Sequence, residues 1–93
     1  MPTYAVTARF WAQWARLTPT QQLAFQQARR LFVEGPREGK LNPRLRVRRY
    51  RSRPGVWELS WDADGRALFP YGDELTPGHP HVIWEDIGTH SIF

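Results

Sequence analysis

The stretch that decides the fold is "GVWELSWDADGRALF", residues 55–69. Apolar and polar side chains alternate in "VWELSW" and again in "RALF", a pattern typical of half-buried β-strands. The intervening "DADG" has the composition of a hairpin turn. The stretch therefore predicts a β-hairpin with one apolar face, which other parts of the chain have to cover.

The length of the turn decides which way Arg66 points, because successive strand residues face opposite sides. A two-residue loop at positions 64 and 65 would pair Ala63 with Arg66 and bury this guanidinium at high cost. A three-residue loop would pair Asp62 with Arg66 and place Gly65 in the left-handed conformation that such loops require. We favour the longer loop. It puts Trp57, Leu59, Trp61, Ala67 and Phe69 on the core face, and Glu58, Ser60, Asp62 and Arg66 on the other, exposed face.

Upstream of the hairpin, the chain begins with a short strand and a helix. "YAVT" at 4–7 alternates as a strand does. In "RFWAQWARL", from residue 9, Phe10, Trp14 and Leu17 recur at helical spacing and form one apolar stripe, with Trp11 beside it.

A second helix is predicted from "TPTQ" at 18–21. Thr18 is suited to cap the helix, Pro19 to its first position, and Gln21 to the reciprocal capping role. Gly35 and Pro36 end it, with glycine as a left-handed cap. The two helices form a helical hairpin in which each helix has an apolar face to bury.

The remaining segments predict further strands. In "LRVRRYR" Leu45 and Val47 alternate with arginines, and "RALFPY" and "HVIWEDI" complete a meander. Pro70 cannot donate to a strand ladder and marks a strand end, an edge or a bulge. "GDELTPGHP", residues 72–80, is predicted to be the loop between the last two strands.

Length and composition suit a single domain over residues 1–93. Five Trp, five Phe and three Tyr supply large apolar side chains to a small core. Cysteine is absent, which excludes disulfides and thiolate metal sites and suits a reducing compartment. Because no apolar run approaches the ~20 residues that span a bilayer, we expect a soluble, cytoplasmic protein.

The positive charge is concentrated in the segment from Arg37 to Arg53. This segment contains eight basic residues and one acidic residue, for a net charge of +7. Such a segment favours a polyanionic partner, either nucleic acid or an acidic protein. Guanidinium groups bind phosphates bidentately, and Tyr50 offers a stacking surface for a base. The alternative is a solvated face whose arginines reflect codon usage. The RNA-binding candidates are Arg44, Arg46, Arg48, Arg49, Tyr50, Arg51 and Arg53.

Two further side chains are candidates for chemistry. His90 could transfer a proton near neutral pH, or simply bond a carbonyl at a strand end. Arg66 could stabilise charge on a phosphorane, or pair across the hairpin with Asp62. His79 and His81 flank Pro80, but their spacing matches no familiar zinc pattern, and we predict no metal and no cofactor. The five tryptophans are predicted to be core rather than a ligand platform.

Taken together, the helical hairpin, the arginine-rich strand, "GVWELSW", "DGRALF" and the terminal "IGTHSIF" resemble the RelE/ParE superfamily of toxins from type II toxin–antitoxin systems. The ending resembles the YafQ-like branch in particular. The resemblance implies an α+β fold in which the N-terminal strand and a helical hairpin pack on a small twisted, mainly antiparallel sheet. It also implies a cognate antitoxin as partner.

The resemblance implies an endoribonuclease that cuts mRNA in the ribosomal A site without a metal. The RNA 2′-hydroxyl attacks the adjacent phosphate and leaves a cyclic phosphate and a free 5′-hydroxyl. Arg66 matches the arginine that stabilises the transition state, His90 matches the terminal catalytic histidine, and Phe93 falls near the terminal aromatic.

The sequence departs from this pattern at the general base. Arginines stand where relatives place lysines or histidines, and arginine stays protonated. Glu58, Asp62 or Asp64 could supply the base. His90 is also one residue closer to the terminal aromatic than in "GTHSDLF"-like endings. Two alternatives follow, a ParE-like toxin that inhibits DNA gyrase and a basic RNA-binding module without catalysis.

Overall fold

The computed structural model describes residues 2–35 and 42–89. In chain order the elements are β1 (Thr3–Val6), α1 (Ala8–Trp14), α2 (Pro19–Glu34), a 3₁₀ turn (Pro43–Leu45), β2 (Arg48–Arg49), β3 (Val56–Ser60), β4 (Gly65–Thr76), β5 (His79–Trp84) and β6 (Asp86–Thr89).

These strands form one sheet in the order β1-β5-β4-β3-β2, with β6 also paired to β4. Only the β1–β5 pair is parallel among the described pairs. The long strand β4 pairs with β6 through its first residues and with β5 through its later ones. The predicted fold, a helical hairpin on a mainly antiparallel sheet, is confirmed.

The core lies between the two helices and one face of the sheet, and aromatic rings fill its centre. The ring of Trp84 lies 5.3 Å from Phe25, 5.8 Å from Phe32 and 5.1 Å from Phe69, measured between centroids. Burying one such side chain contributes about 1.5–3 kcal/mol. Leu59 and Ala67, on the hairpin, are fully buried beneath this cluster.

α2 begins at the predicted residue, Pro19, and α1 begins at Ala8, one residue before the predicted start. The Thr18 hydroxyl accepts from the Gln21 N–H at 3.2 Å, and the Gln21 side chain accepts from the Thr18 N–H at 2.8 Å, so the predicted capping box is present. α1 starts after Thr7, whose hydroxyl accepts from the Phe10 N–H. α1 ends at Trp14, three residues before the predicted end of the stripe. Gly35 has the predicted positive φ, but its ψ of −177° is extended.

The register predicted for the hairpin is wrong by two residues. Ser60, not Asp62, pairs with Arg66, and the Trp61 N–H donates to the Gly65 carbonyl at 3.2 Å. A shift of two leaves every side chain on its predicted face. Gly65 does not have a positive φ. A Cβ at Gly65 would lie 2.4 Å from the Trp61 ring, so close packing explains this glycine.

The predicted arginine-rich strand is also largely wrong, because only Arg48 and Arg49 are in a strand. Asn42 caps a 3₁₀ turn by accepting from the Arg44 N–H at 3.0 Å. Pro43 suits the first position of that turn and cannot donate to a ladder. The turn buries Leu45, which is 2% exposed. Arg46 then takes a left-handed conformation, so the arginines do not alternate along one strand.

The last strands differ from the predicted meander in their boundaries. The predicted loop at 72–80 is wrong, because β4 continues to Thr76 and β5 begins at His79. Pro70 lies inside β4, between the part paired with β6 and the part paired with β5. The segment "HVIWEDI" is divided at Glu85, whose N–H donates to the Leu68 carbonyl.

Candidate nucleic-acid interface

The sheet face opposite the helices, which we call the outer face, carries Arg48, Glu58, Ser60, Arg66 and Leu68. The sequence predicted an exposed face here, and this is wrong. Glu58 is 7%, Ser60 8% and Arg66 8% exposed. In contrast, the Arg48 side chain is 67% exposed at the β2 edge. The outer face is therefore a largely buried polar cluster with one exposed arginine.

Glu58 lies at the centre of this cluster. The pairing of β2 with β3 places Arg48 directly opposite it, and Arg66 is its diagonal neighbour on β4. Its Oε1 accepts from Arg48 Nε at 3.0 Å and lies 3.0 Å from Arg48 Nη2. The same oxygen lies 3.6 Å from Arg66 Nε. One carboxylate oxygen thus faces two guanidinium groups.

Arg66 is fixed by its own hairpin. Its Nη1 donates to the carbonyl oxygens of Gly65 at 2.8 Å and of Asp62 and Ala63 at 3.3 Å. The interaction with Asp62 therefore involves the backbone and not the predicted carboxylate. Arg66 Nε is buried and has no hydrogen-bond partner among the residues described. These contacts orient the guanidinium and leave part of its donor capacity unused.

Two residues of the predicted catalytic set, His90 and Phe93, lie outside the described residues. The described chain ends at Thr89, which pairs with Gly65, and the preceding Gly88 pairs with Arg66. Strand β6 therefore runs directly beside the hairpin arginine. Of the candidate bases, Glu58 is buried in the cluster above, while Asp62 and Asp64 are exposed in the hairpin loop.

The other arginines of the basic segment are dispersed. Arg53 donates to Glu85 at 2.6 Å and to Asp86 at 3.4 Å. The guanidinium of Arg49 lies 5.4 Å from the centre of the Trp57 ring. The predicted RNA-binding residues therefore do not form one continuous strip. Tyr50 is half-buried and Arg51 is exposed at the β2–β3 connection.

Arg44 and Arg46 line an open groove of about 740 Å³ between α2, the 3₁₀ turn and the β3–β4 hairpin. Arg30, on α2, lines the same groove and was missed by the sequence analysis. Arg30 and Arg44 are distant in sequence, and no local pattern relates the two positions. Asp62 lines the groove as well, and the apolar lining includes Ala24, Ala28, Leu31, Leu45 and Trp61.

In the "HPH" segment, His81 makes a contact between two strands. His81 Nδ1 lies 2.7 Å from the Thr3 hydroxyl, which joins β5 to β1. Within residues 2–35 and 42–89, no three His, Asp or Glu side chains are grouped to hold a metal ion.

Trp61 and Trp84 are buried and Trp14 and Trp57 pack against the core, as predicted, but Trp11 is 57% exposed. In the same ranges, no helix has the length and apolar character needed to cross a membrane.

Comparison with known proteins gives structural neighbours only. No family model and no curated protein matches the sequence. YafQ from E. coli strain BL21(DE3) superimposes with a TM-score of 0.70 over 99% of this chain and 97% of that one, at 11% identity. The fold is YafQ-like. A chain of the E. coli DinJ–YafQ toxin–antitoxin complex matches with a TM-score of 0.65 over 99% and 96%, at 13% identity.

A third neighbour is the conserved hypothetical protein HP0894 from Helicobacter pylori, with a TM-score of 0.67 over the full length of both chains at 13% identity. The resemblance to RelE/YafQ-like proteins is thus confirmed at the level of the fold. At these identities the likeness carries no residue roles.

Proposed function

We propose that this chain is the toxin of a type II toxin–antitoxin pair and an endoribonuclease that cleaves mRNA on the ribosome. The observation that carries the proposal is the match to YafQ over nearly the whole of both chains. Support at the level of the site comes from Arg66, a buried and oriented guanidinium beside the strand that leads to His90.

In the proposed reaction the RNA 2′-hydroxyl attacks the adjacent phosphorus, and the bond from phosphorus to the 5′-oxygen breaks. Arg66 stabilises the negative charge that develops on the phosphate oxygens. His90 gives a proton to the departing 5′-oxygen, and a carboxylate removes the proton from the 2′-hydroxyl. Asp62, exposed at the hairpin, is the candidate for that base. Phe93 completes the site, and neither a metal nor a cofactor takes part.

The proposed partner is a cognate antitoxin, as in the DinJ–YafQ complex. The groove lined by Arg30, Arg44 and Arg46 complements an acidic or amphipathic segment, because it combines positive charge with an apolar floor. Association there is expected to weaken with salt. Reversing the charge of Arg46 should weaken the antitoxin complex more than reversing Arg48, whose guanidinium already contacts Glu58.

The test is induction of the wild-type protein, Arg66→Ala and His90→Ala in bacteria, with Arg16→Ala as a control at an exposed arginine. Growth, primer extension on translated mRNA and gyrase supercoiling are measured. Cuts in phase with codons should appear with the wild type and the control. Each site substitution should reduce them by roughly 10²-fold or more.

One observation favours the ParE-like alternative. Arg66 is held by three backbone carbonyls, and Glu58 by Arg48. These contacts form without RNA, as expected for a toxin whose target is a protein. Growth arrest that survives His90→Ala, together with blocked supercoiling and uncut mRNA, would assign gyrase as the target.

A further inference from the structure

The outer face contains a charge imbalance in a place where charge is costly. Glu58 and Arg66 side chains are each 10% exposed, and Arg48 joins them on the same carboxylate oxygen. Among the described side chains, two guanidinium groups and one carboxylate meet here, which leaves one positive charge in excess. Arg66 is largely removed from water while Arg48 is exposed, so an anion that approaches from the Arg48 side can share this excess charge.

The donors that such an anion needs are present. Arg48 uses Nε and Nη2 on Glu58, and among the described residues its Nη1 contacts no partner. Arg66 uses Nη1 on the hairpin carbonyls, and its buried Nε lies 3.6 Å from Glu58 Oε1, so Nη2 is the nitrogen of this guanidinium that these contacts leave over. Each guanidinium therefore has one edge that is fixed and donors that are unused.

We infer that Glu58 is a positioning residue, which holds Arg48 and Arg66 together as a two-arginine site for one phosphate group of the RNA backbone. The inference rests on the proposed function, and it gives Glu58 a different role from a general base. Arginine pairs bind phosphate well when their donors are oriented beforehand, because less side-chain entropy is lost on binding. The phosphate enters from the exposed edge of the sheet, where Arg48 lies.

The sign of one effect distinguishes this role from simple electrostatics. Removing a carboxylate from a basic surface should tighten the binding of a polyanion. If Glu58 orients the two arginines, Glu58→Gln weakens binding although the protein becomes more positive. Glu34, exposed at the end of α2, provides the matched control, because Glu34→Gln makes the same change of charge away from the outer face.

The experiment measures binding of a short 2′-O-methyl RNA, which cannot undergo 2′-hydroxyl attack, by fluorescence anisotropy with the full chain. Glu58→Gln should raise Kd about tenfold, the equivalent of one charge-assisted hydrogen bond. Glu34→Gln should leave Kd unchanged or lower. Arg48→Gln should raise Kd more than Arg16→Gln, which removes the same charge from the end of α1. Equal or tighter binding by Glu58→Gln would overturn the inference.

Two further measurements keep the outcomes separate. Circular dichroism melting verifies that each variant is folded. If Glu58→Gln is not, the comparison of Arg48→Gln with Arg16→Gln decides, because Arg48 is largely exposed. With ribosome-bound mRNA as the cleavable substrate, a positioning role leaves the shape of the pH–rate profile unchanged. Loss of its acidic limb with normal binding would identify Glu58 as the base instead. A wild type that binds the 2′-O-methyl RNA but leaves ribosome-bound mRNA uncut would contradict the proposed nuclease and leave the phosphate site intact.

Discussion

At the scale of single residues, the bulk of the Trp61 ring restricts which residue can occupy position 65 of the hairpin. Trp61 and Gly65 face each other across the turn, and the indole ring occupies the space where a Cβ of residue 65 would lie. The ring itself is 6% exposed and belongs to the core. Gly65 thereby sets the hydrogen-bond register that brings Arg66 opposite Ser60.

Gly65→Ala should therefore destabilise the protein by about 1–3 kcal/mol, the usual cost of overpacking. Gly72→Ala is the matched control, since its added Cβ would meet chiefly the flexible end of Ile83 at 2.9 Å. Urea denaturation of both variants measures the difference. A smaller loss at Gly65 than at Gly72 would contradict the packing explanation.

Tyr71 gives a pH dependence at the same scale. Tyr71 is 47% exposed, and its partial burial raises its pKa above the ordinary value of 10.0. Its ring packs edge-on against Phe69 and Trp57. The folded chain holds this proton more tightly than the unfolded chain. The corresponding stability is therefore present below about pH 10 and is lost as the pH rises through the folded pKa.

Tyr71→Phe should accordingly show a shallower decline of unfolding free energy between about pH 9 and pH 11. Tyr4→Phe, which removes an exposed hydroxyl, should keep the wild-type slope. Urea titrations at several pH values in that range provide the measurement. A Tyr71→Phe slope that matches the wild type would show that another group is responsible.

At the scale of elements, the helices could be predicted from the sequence and the basic segment could not. Thr18 and Gln21 act through neighbours three residues apart, so their pattern is visible locally. The conformation of residues 43–46 depends on burying Leu45 beneath α2 and the hairpin, a contact between distant parts of the chain. Alternation alone therefore predicted a strand where a 3₁₀ turn forms.

Thr18→Ala tests the capping box. It removes the acceptor for the Gln21 N–H and should cost about 1 kcal/mol of stability. Thr20→Ala, an exposed position in the first turn of α2, is the control and should change stability by less than about 0.5 kcal/mol. Thermal melts followed by circular dichroism compare the two. Equal changes would show that the cap contributes nothing measurable.

At the scale of the whole molecule, the sequence predicted the layers and the arginine of the hairpin but not the groups that surround it. Local periodicity assigns Arg66 to a face of the sheet, and this assignment survived a register error of two residues. Its burial and its approach to Glu58 depend on the pairing of β2 with β3, of β3 with β4 and of β4 with β6. These contacts join segments that are distant in the sequence, so no local pattern of residues predicts them.

Asp86 makes this long-range assembly testable, because it joins three segments that are distant in sequence. Its carboxylate accepts from Gln13 at 3.2 Å and contacts Arg9 at 3.3 Å and Arg53 at 3.4 Å. The Gln13 side chain in turn accepts from the Ile87 N–H at 2.9 Å, which fastens the outer edge of β6 to α1.

Asp86→Ala should cost about 1–3 kcal/mol, because it leaves several donors unpaired around a side-chain site that is 9% exposed. The control is Glu85→Gln, whose carboxylate is 21% exposed and contacts Arg53 alone among the described side chains. This control should cost less than about 1 kcal/mol. Chemical denaturation measures both losses, and hydrogen exchange at the Ile87 amide reports whether β6 loosens. A loss at Glu85 as large as at Asp86 would mean that β6 is held by its pairing with β4 and not by the three-way contact at its outer edge.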